Sequence, residues 1–233
     1  MKHLLVSIVR LLIAFAMPFF ILLTTAHLVI GDWYPRFEYA KSDFPPDPYG
    51  FTQAQRLDLA LVSIHYMQRP EPADAVISML KDQRLPGSDK PLFAESEISH
   101  MLDVKRVADA LWRVQLIAGL VVIAGTILLL VRRSTRDSAF SALFWGGTLT
   151  AGLLALLALF VLTSWNTFFV DFHDAFFAPG TWTFDWSNSL IRLYPDKFWS
   201  DAGTMITISA LLAGIVIALI GWFLGRRKNV SSS

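Results

Sequence analysis

A chain of 233 residues that is 54% hydrophobic, with positive mean hydropathy, carries more apolar surface than one soluble core of this size can hide. A net charge of +1 and no basic run outside the apolar segments give no footing for nucleic acid. The absence of cysteine removes both a disulfide framework and a thiolate nucleophile.

Four segments, about 4–30, 114–131, 140–162 and 203–224, are long and apolar enough to cross a bilayer. A span needs about 20 mostly apolar residues to cross about 30 Å of hydrocarbon. Backbone groups in lipid must pair within their own segment, so each span is predicted to be a helix. The first is too long for a signal peptide and lacks a small-residue cleavage site, so it reads as an anchor. The expected fold is an all-α membrane protein, one membrane domain over 1–233. Its four transmembrane helices carry an extracytoplasmic helical cap built from the outer segments 32–112 and 165–202.

Between spans one and two, DFPPDPYGF reads as extended or turn structure. Thr52 can then cap a helix from Gln53 to about Gln68, whose Leu57, Ala60, Leu61 and Ile64 form one apolar stripe. KDQRLPGSDKP is loop, and ESEISHMLDVKRVADALW resumes helical spacing and can run directly into span two. Small residues recur at Gly147, Ala151 and Ala155 in span three and at Ala210, Gly214 and Ala218 in span four. Such rows let helices approach closely in lipid. No acid or base sits mid-span, which argues against an ion conduit. The segment 165–202 reads as a loop holding twelve of the chain's 31 aromatics, most of which suit a belt at headgroup level. A short serine tail, 231–233, closes the chain.

With both termini inside, Lys2, Arg10, Arg132, Arg133, Arg136, Arg226, Arg227 and Lys228 share one side against Asp137 alone. That side then carries +7 and the rest of the chain −6. The positive-inside rule therefore places both termini in the cytoplasm and both large segments outside. Lys105, Arg106 and Arg113, at the outer end of span two, run against it.

Of five histidines, His3, His27 and His65 have unremarkable settings, whereas His100 and His173 have ordered polar neighbours. Glu97, His100 and Asp103 lie three apart and share one helix face; carboxylates there can fix an imidazole tautomer. His173 lies between Asp171 and Asp174. Neutral imidazole is the usual general base near pH 7. Arg192, in an apolar run, offers a fixed cation for a phosphate, carboxylate or oxyanion. The chain has no G-x-S-x-G, H-E-x-x-H or P-loop pattern. Asp171-Phe172-His173 could contribute to a zinc site, but so short a pattern is unspecific.

PPDPYGFT (45–52), FAESEISHMLDVKRV (93–107) and FHDAFF with LIRLYPDKFW (172–199) closely resemble the bacterial lipoprotein intramolecular transacylase family. The resemblance covers most of the chain and implies a cofactor-free, four-span enzyme of the bacterial cell membrane. Its implied activity moves the sn-2 acyl chain of a lipoprotein's diacylglyceryl-cysteine onto the cysteine's own α-amino group, leaving a lyso-form lipoprotein. It implies that His100 and His173 are catalytic, one taking the amine proton, the other bonding the ester oxygen and protonating the leaving glycerol oxygen. Arg192, Glu97, Asp103, Asp171, Phe176 and Trp182 are the expected substrate-binding residues, no metal is involved, and the partners are the diacylated lipoprotein and membrane lipids. Two alternatives stand beside it: a metal-dependent lipid hydrolase using the same histidines, and a non-catalytic membrane scaffold.

Overall fold

The computed structural model describes residues 2–230. Met1, the serine tail 231–233, and the side chains of Lys2 and residues 227–230 lie outside the described residues, so Lys2, Arg227 and Lys228 of the charge reading do too. The described helices run α1 Lys2–Val29, α2 Trp33–Tyr39, α3 Gln53–Gln68, α4 Ala73–Val76, α5 Ser78–Lys81, α6 Glu95–Val131, α7 Arg136–Thr163, α8 Trp165–Phe176, α9 Ser189–Leu193 and α10 Asp196–Val230. Among the described residues the only pairing outside helices is an isolated antiparallel bridge, Arg84 to Pro91. α1, α6, α7 and α10 are each long and apolar enough to span a membrane. In α6 the apolar stretch is the C-terminal part; its first turns carry Glu95, Glu97, Asp103, Lys105, Arg106 and Asp109.

The chain divides into two compact units. The first comprises Met1–Ala26, Leu111–Thr163 and Thr204–Ser233, and holds the apolar lengths of the four long helices. Ile13, Met17, Ile21, Val122, Leu129, Ala139, Ala142, Leu154 and Ala210 form its core. Several hydroxyls bond one turn back, as Thr150 Oγ1 does to the Gly146 carbonyl at 2.8 Å, and Gln115 Nε2 donates across helices to Thr24 Oγ1 at 3.1 Å. α7 and α10 meet through small residues: a Cβ on Gly147 would lie 2.6 Å from the Gly214 carbonyl, and one on Gly221 would lie 2.7 Å from the Phe140 carbonyl. The expected small-residue rows therefore meet at Gly147, Ala151, Gly214 and Ala218. Ala155 is exposed instead, and Leu154 and Ala158 are buried in its place. A four-residue row drifts around a 3.6-residue helix, so its third member leaves the seam.

The second unit, His27–Ala110 with Ser164–Gly203, packs by different means. α3 begins as expected, with a reciprocal capping box between Thr52 and Gln55. Buried tyrosines join the unit's two segments: Tyr34 Oη donates to the Phe198 carbonyl at 2.6 Å, Tyr39 Oη to Leu193 at 2.5 Å and Tyr194 Oη to Ala60 at 2.7 Å. Burial pushes all three phenols above their ordinary range, so they stay protonated donors. Arg56 adds bonds from Nε and Nη2 to the Arg192 carbonyl, at 2.9 and 2.6 Å. The aromatic stretch expected as a loop is partly helical, and α8 carries His173. Its Trp165, Phe168 or Phe169, Phe172 and Phe176 recur at helical spacing, a period masked by the aromatics around it.

Candidate active site

α6 and α8 each present one imidazole, and both belong to the second unit. The rings of His100 and His173 lie 6.2 Å apart between centroids and are stacked within 23° of parallel. Aromatic rings enclose the pair. Phe169 and Trp182 flank His173 at 4.1 and 4.7 Å, and Phe177 and Phe184 meet His100 edge-on at 4.9 and 5.4 Å. Sequence reasoning missed Phe169, Phe177 and Phe184. The signal was present for the first two, which sit four residues either side of His173.

Nδ1 of His173 lies 2.7 Å from the Phe169 carbonyl one turn back. A carbonyl only accepts, so Nδ1 carries the hydrogen and Nε2 keeps the lone pair. The tautomer is thus set by backbone, not by Asp171 or Asp174. Asp171 is exposed, while Asp174 accepts from Trp182 Nε1 at 3.2 Å and holds that indole against His173. Burial lowers the His173 pKa from its ordinary value, outweighing the Phe169 carbonyl and Asp174, which raise it.

His100 is 8% exposed, and its Nδ1 is buried with no hydrogen-bond partner. Burial, reinforced by the facing His173, pushes its pKa down to about 4 despite Asp103. It is a neutral imidazole at any physiological pH.

The expected carboxylate partners of His100 are otherwise engaged. Glu97 accepts from the Ala94 and Leu190 backbone N–H groups, both at 2.7 Å, because it stands in the first turn of α6 beside the start of α9. Asp103 pairs with Arg106 at 3.1 Å. Arg192 is not a free cation: its guanidinium forks onto Asp47 at 3.1 and 2.9 Å and lies 3.5 Å over the Phe51 ring. Burial raises the Asp47 carboxyl, but Arg192 and the Phe51 and Tyr49 backbone N–H groups hold it below the usual carboxylate range. Phe176 packs on Phe172 at 5.0 Å and is 42% exposed, so it belongs to the outer face of α8. Of the expected binding residues, Trp182 alone touches a histidine ring. Among the described residues, no three His, Cys, Asp or Glu side chains are grouped to hold one metal ion.

Four spanning helices and a separate unit holding two facing imidazoles define a helical multi-pass membrane protein with a polar site inside an aromatic cage. The profile of the family described as lipoprotein intramolecular transacylase Lit matches residues 11–199, and the chain belongs to that family, which makes it an acyltransferase acting on lipoproteins. A protein of Aquifex aeolicus (strain VF5), described as uncharacterised, is 29% identical over 221 residues, covering 95% of this chain and 96% of the relative. The fold is that of the membrane integral lipoprotein intramolecular transacylase Lit from Bacillus cereus, at a TM-score of 0.70 and 22% identity over 99% of this chain and 100% of that one. A form of that protein with one histidine replaced by arginine aligns at a TM-score of 0.68, 21% identical over 99% of this chain and 96% of that one.

Proposed function

We propose that this enzyme moves the sn-2 acyl chain of a diacylglyceryl-cysteine onto the cysteine's own α-amino group, using both imidazoles and no nucleophile of its own. The observation that carries the reading is the unlike hydrogen bonding of two facing histidines. His173 presents a lone pair at Nε2, and His100 is a neutral ring with an unpartnered buried nitrogen.

The amine nitrogen attacks the sn-2 carbonyl carbon through a ring of roughly eight atoms, which needs a site that holds the chain in a near-attack pose. His173 Nε2 takes the proton from the attacking nitrogen. His100 donates a hydrogen bond to the carbonyl oxygen as it gains charge; a neutral imidazole does this without becoming a cation. The C–N bond forms and the bond between the acyl carbon and the glycerol oxygen breaks. His173 passes its proton to the departing glycerol oxygen, so nothing is consumed and no co-reactant is needed. This differs from a separate acid and base: a neutral His100 is too weak an acid to protonate an alkoxide, whereas the imidazolium of His173 suffices. The aromatic cage serves to keep out water, which would divert the ester to hydrolysis.

Both termini then face the cytoplasm and the site faces the outer leaflet. Lys105 and Arg106, which ran against that orientation, are engaged within the second unit, with the Arg69 carbonyl and Asp109, and with Asp74 and Asp103. Single cysteines at Ser88 and Ser187 should react with an impermeant thiol reagent in intact cells while one at Ser134 should not; the reverse pattern overturns the orientation. The chemistry is tested by mass spectrometry of a diacylated lipopeptide. Transfer leaves the mass unchanged and blocks the amine, whereas loss of a fatty acid would mark a hydrolase and overturn the reading.

A further inference from the structure

We infer that a cavity in the second unit receives the polypeptide that follows the acylated cysteine, and that it selects against acidic residues there. The inference rests on the acyl-transfer reading. A cysteine attacking with its own α-amino group is N-terminal, so one polypeptide chain leaves it, and that chain must exit beside the two imidazoles.

The cavity has a volume of about 420 Å³ and lies between the 85–95 segment and the start of α9. Pockets that hold small ligands run about 300–1,000 Å³, so it has room for a short stretch of chain. Leu85, Leu92 and Phe93 give it an apolar side, and Ser187, Asn188 and Glu97 a polar one. An acyl chain offers no partner to the Ser187 hydroxyl or the Asn188 amide N–H groups on that side, whereas an extended peptide brings alternating side chains and backbone groups that suit both.

Two short links in the chain keep the cavity close to the imidazole pair. Glu97 in its wall precedes His100 by three residues on α6, hence on the same face. Phe184 packs on His100, and Ser187, three residues further along the same loop, lines the cavity. A chain leaving the imidazoles past Phe184 enters it within two or three residues, at about 3.3–3.6 Å per extended residue.

The charge of the lining is one-sided. Glu95 and Glu97 are both carboxylates, and Glu95 is exposed. Arg192, the single cation in the lining, is already forked onto Asp47. Acidic side chains at the second and third positions of the substrate meet uncompensated negative charge, and basic ones meet attraction.

The test uses diacylglyceryl lipopeptides that share one lipid and carry Ser-Ser, Lys-Lys or Asp-Asp after the cysteine, with diacylglyceryl-cysteine amide as the peptide-free reference. The full-length enzyme should prefer Lys-Lys to Asp-Asp by roughly 3–10-fold in kcat/KM, as exposed charge pairs allow. Glu95→Lys should reverse that order. Ser187→Trp, at an exposed position that does not endanger folding, should lower the ratio of lipopeptide to cysteine-amide kcat/KM. An unchanged Lys/Asp preference in Glu95→Lys, or an unchanged ratio in Ser187→Trp, would overturn the inference while leaving acyl transfer standing. A Ser187→Trp effect that follows acyl length instead would assign the cavity to lipid and overturn it too. Absence of transfer on every substrate would overturn the acyl-transfer reading itself and this inference with it.

Discussion

Between α7 and α10 the backbones approach through glycine and alanine, with the Thr150 methyl group against Gly214, and the buried Thr150 hydroxyl finds its acceptor one turn away. In the second unit, side chains reach carbonyls more than 90 residues distant: Tyr34 to Phe198, Tyr194 to Ala60, Ser189 to Leu92. The contrast follows from the surroundings each set of helices must satisfy. A spanning helix closes its own backbone hydrogen bonds and asks of its neighbour chiefly shape, with an occasional side-chain bond such as Gln115 to Thr24. The short helices and turns of the second unit leave many backbone groups open, and buried phenols, carboxylates and guanidinium groups close them. The candidate site sits in the second unit, where polar side chains are held from several directions at once.

The largest expected departure tests that division directly. Gln in place of either histidine keeps approximate size but not proton transfer near pH 7, and should cut transfer by about 10²–10⁴-fold. The double variant should cost little more than the worse single, since groups acting as one unit are non-additive. A well-folded single variant with near-normal transfer would end the paired mechanism. Chelators should leave transfer unchanged.

Next comes pH. Both imidazoles stay neutral to below their ordinary value, so the first group to protonate as pH falls is the substrate amine, at about 7.7–8.0. A protonated amine cannot attack, so kcat/KM should fall about tenfold per unit below that range. An acid limb at pH 6–6.5 that persists when the amine's own pKa is changed would assign the limb to an imidazole. Stability has its own window: the depressed His100 binds protons more readily unfolded, so the second unit should weaken from about pH 6.5 down toward about 4.

Smaller effects belong to packing. Gly147→Val in α7 would drive a side chain into the backbone of α10, costing on the order of 1–3 kcal/mol by thermal unfolding in detergent. Gly152→Ala, with open space at its Cβ, should be near neutral in the same helix. Glu97→Gln sets an amide against a buried backbone N–H and should cost about 1–3 kcal/mol, with the loss confined to the second unit. If Gly147→Val unfolded both units together, the two would form one cooperative block.

Much of the first unit was legible in the sequence because its rules are local. Four apolar lengths and the run of α6 into its span each depend on residues within a few turns, as does the Thr52 cap of α3 in the second unit. The histidines were legible from their motifs. Their settings were not: nothing near Arg192 in sequence announces Asp47, 145 residues away, and Glu97 gives no sign that its acceptors are directed at Ala94 and Leu190. α8 escaped because its aromatics occupy both faces and obscure the helical period.

The tyrosine bonds that join the second unit have a consequence for ionic strength. A phenol donating to a carbonyl carries no net charge, and the Asp47–Arg192 pair is shielded from solvent, with the carboxylate wholly buried. Mobile ions within a Debye length of about 8 Å screen exposed pairs such as Arg106–Asp74 but reach these poorly. An enzyme held this way should keep the shape around its imidazoles from fresh water to brine, with the rim carboxylate Glu95 the part that feels the salt.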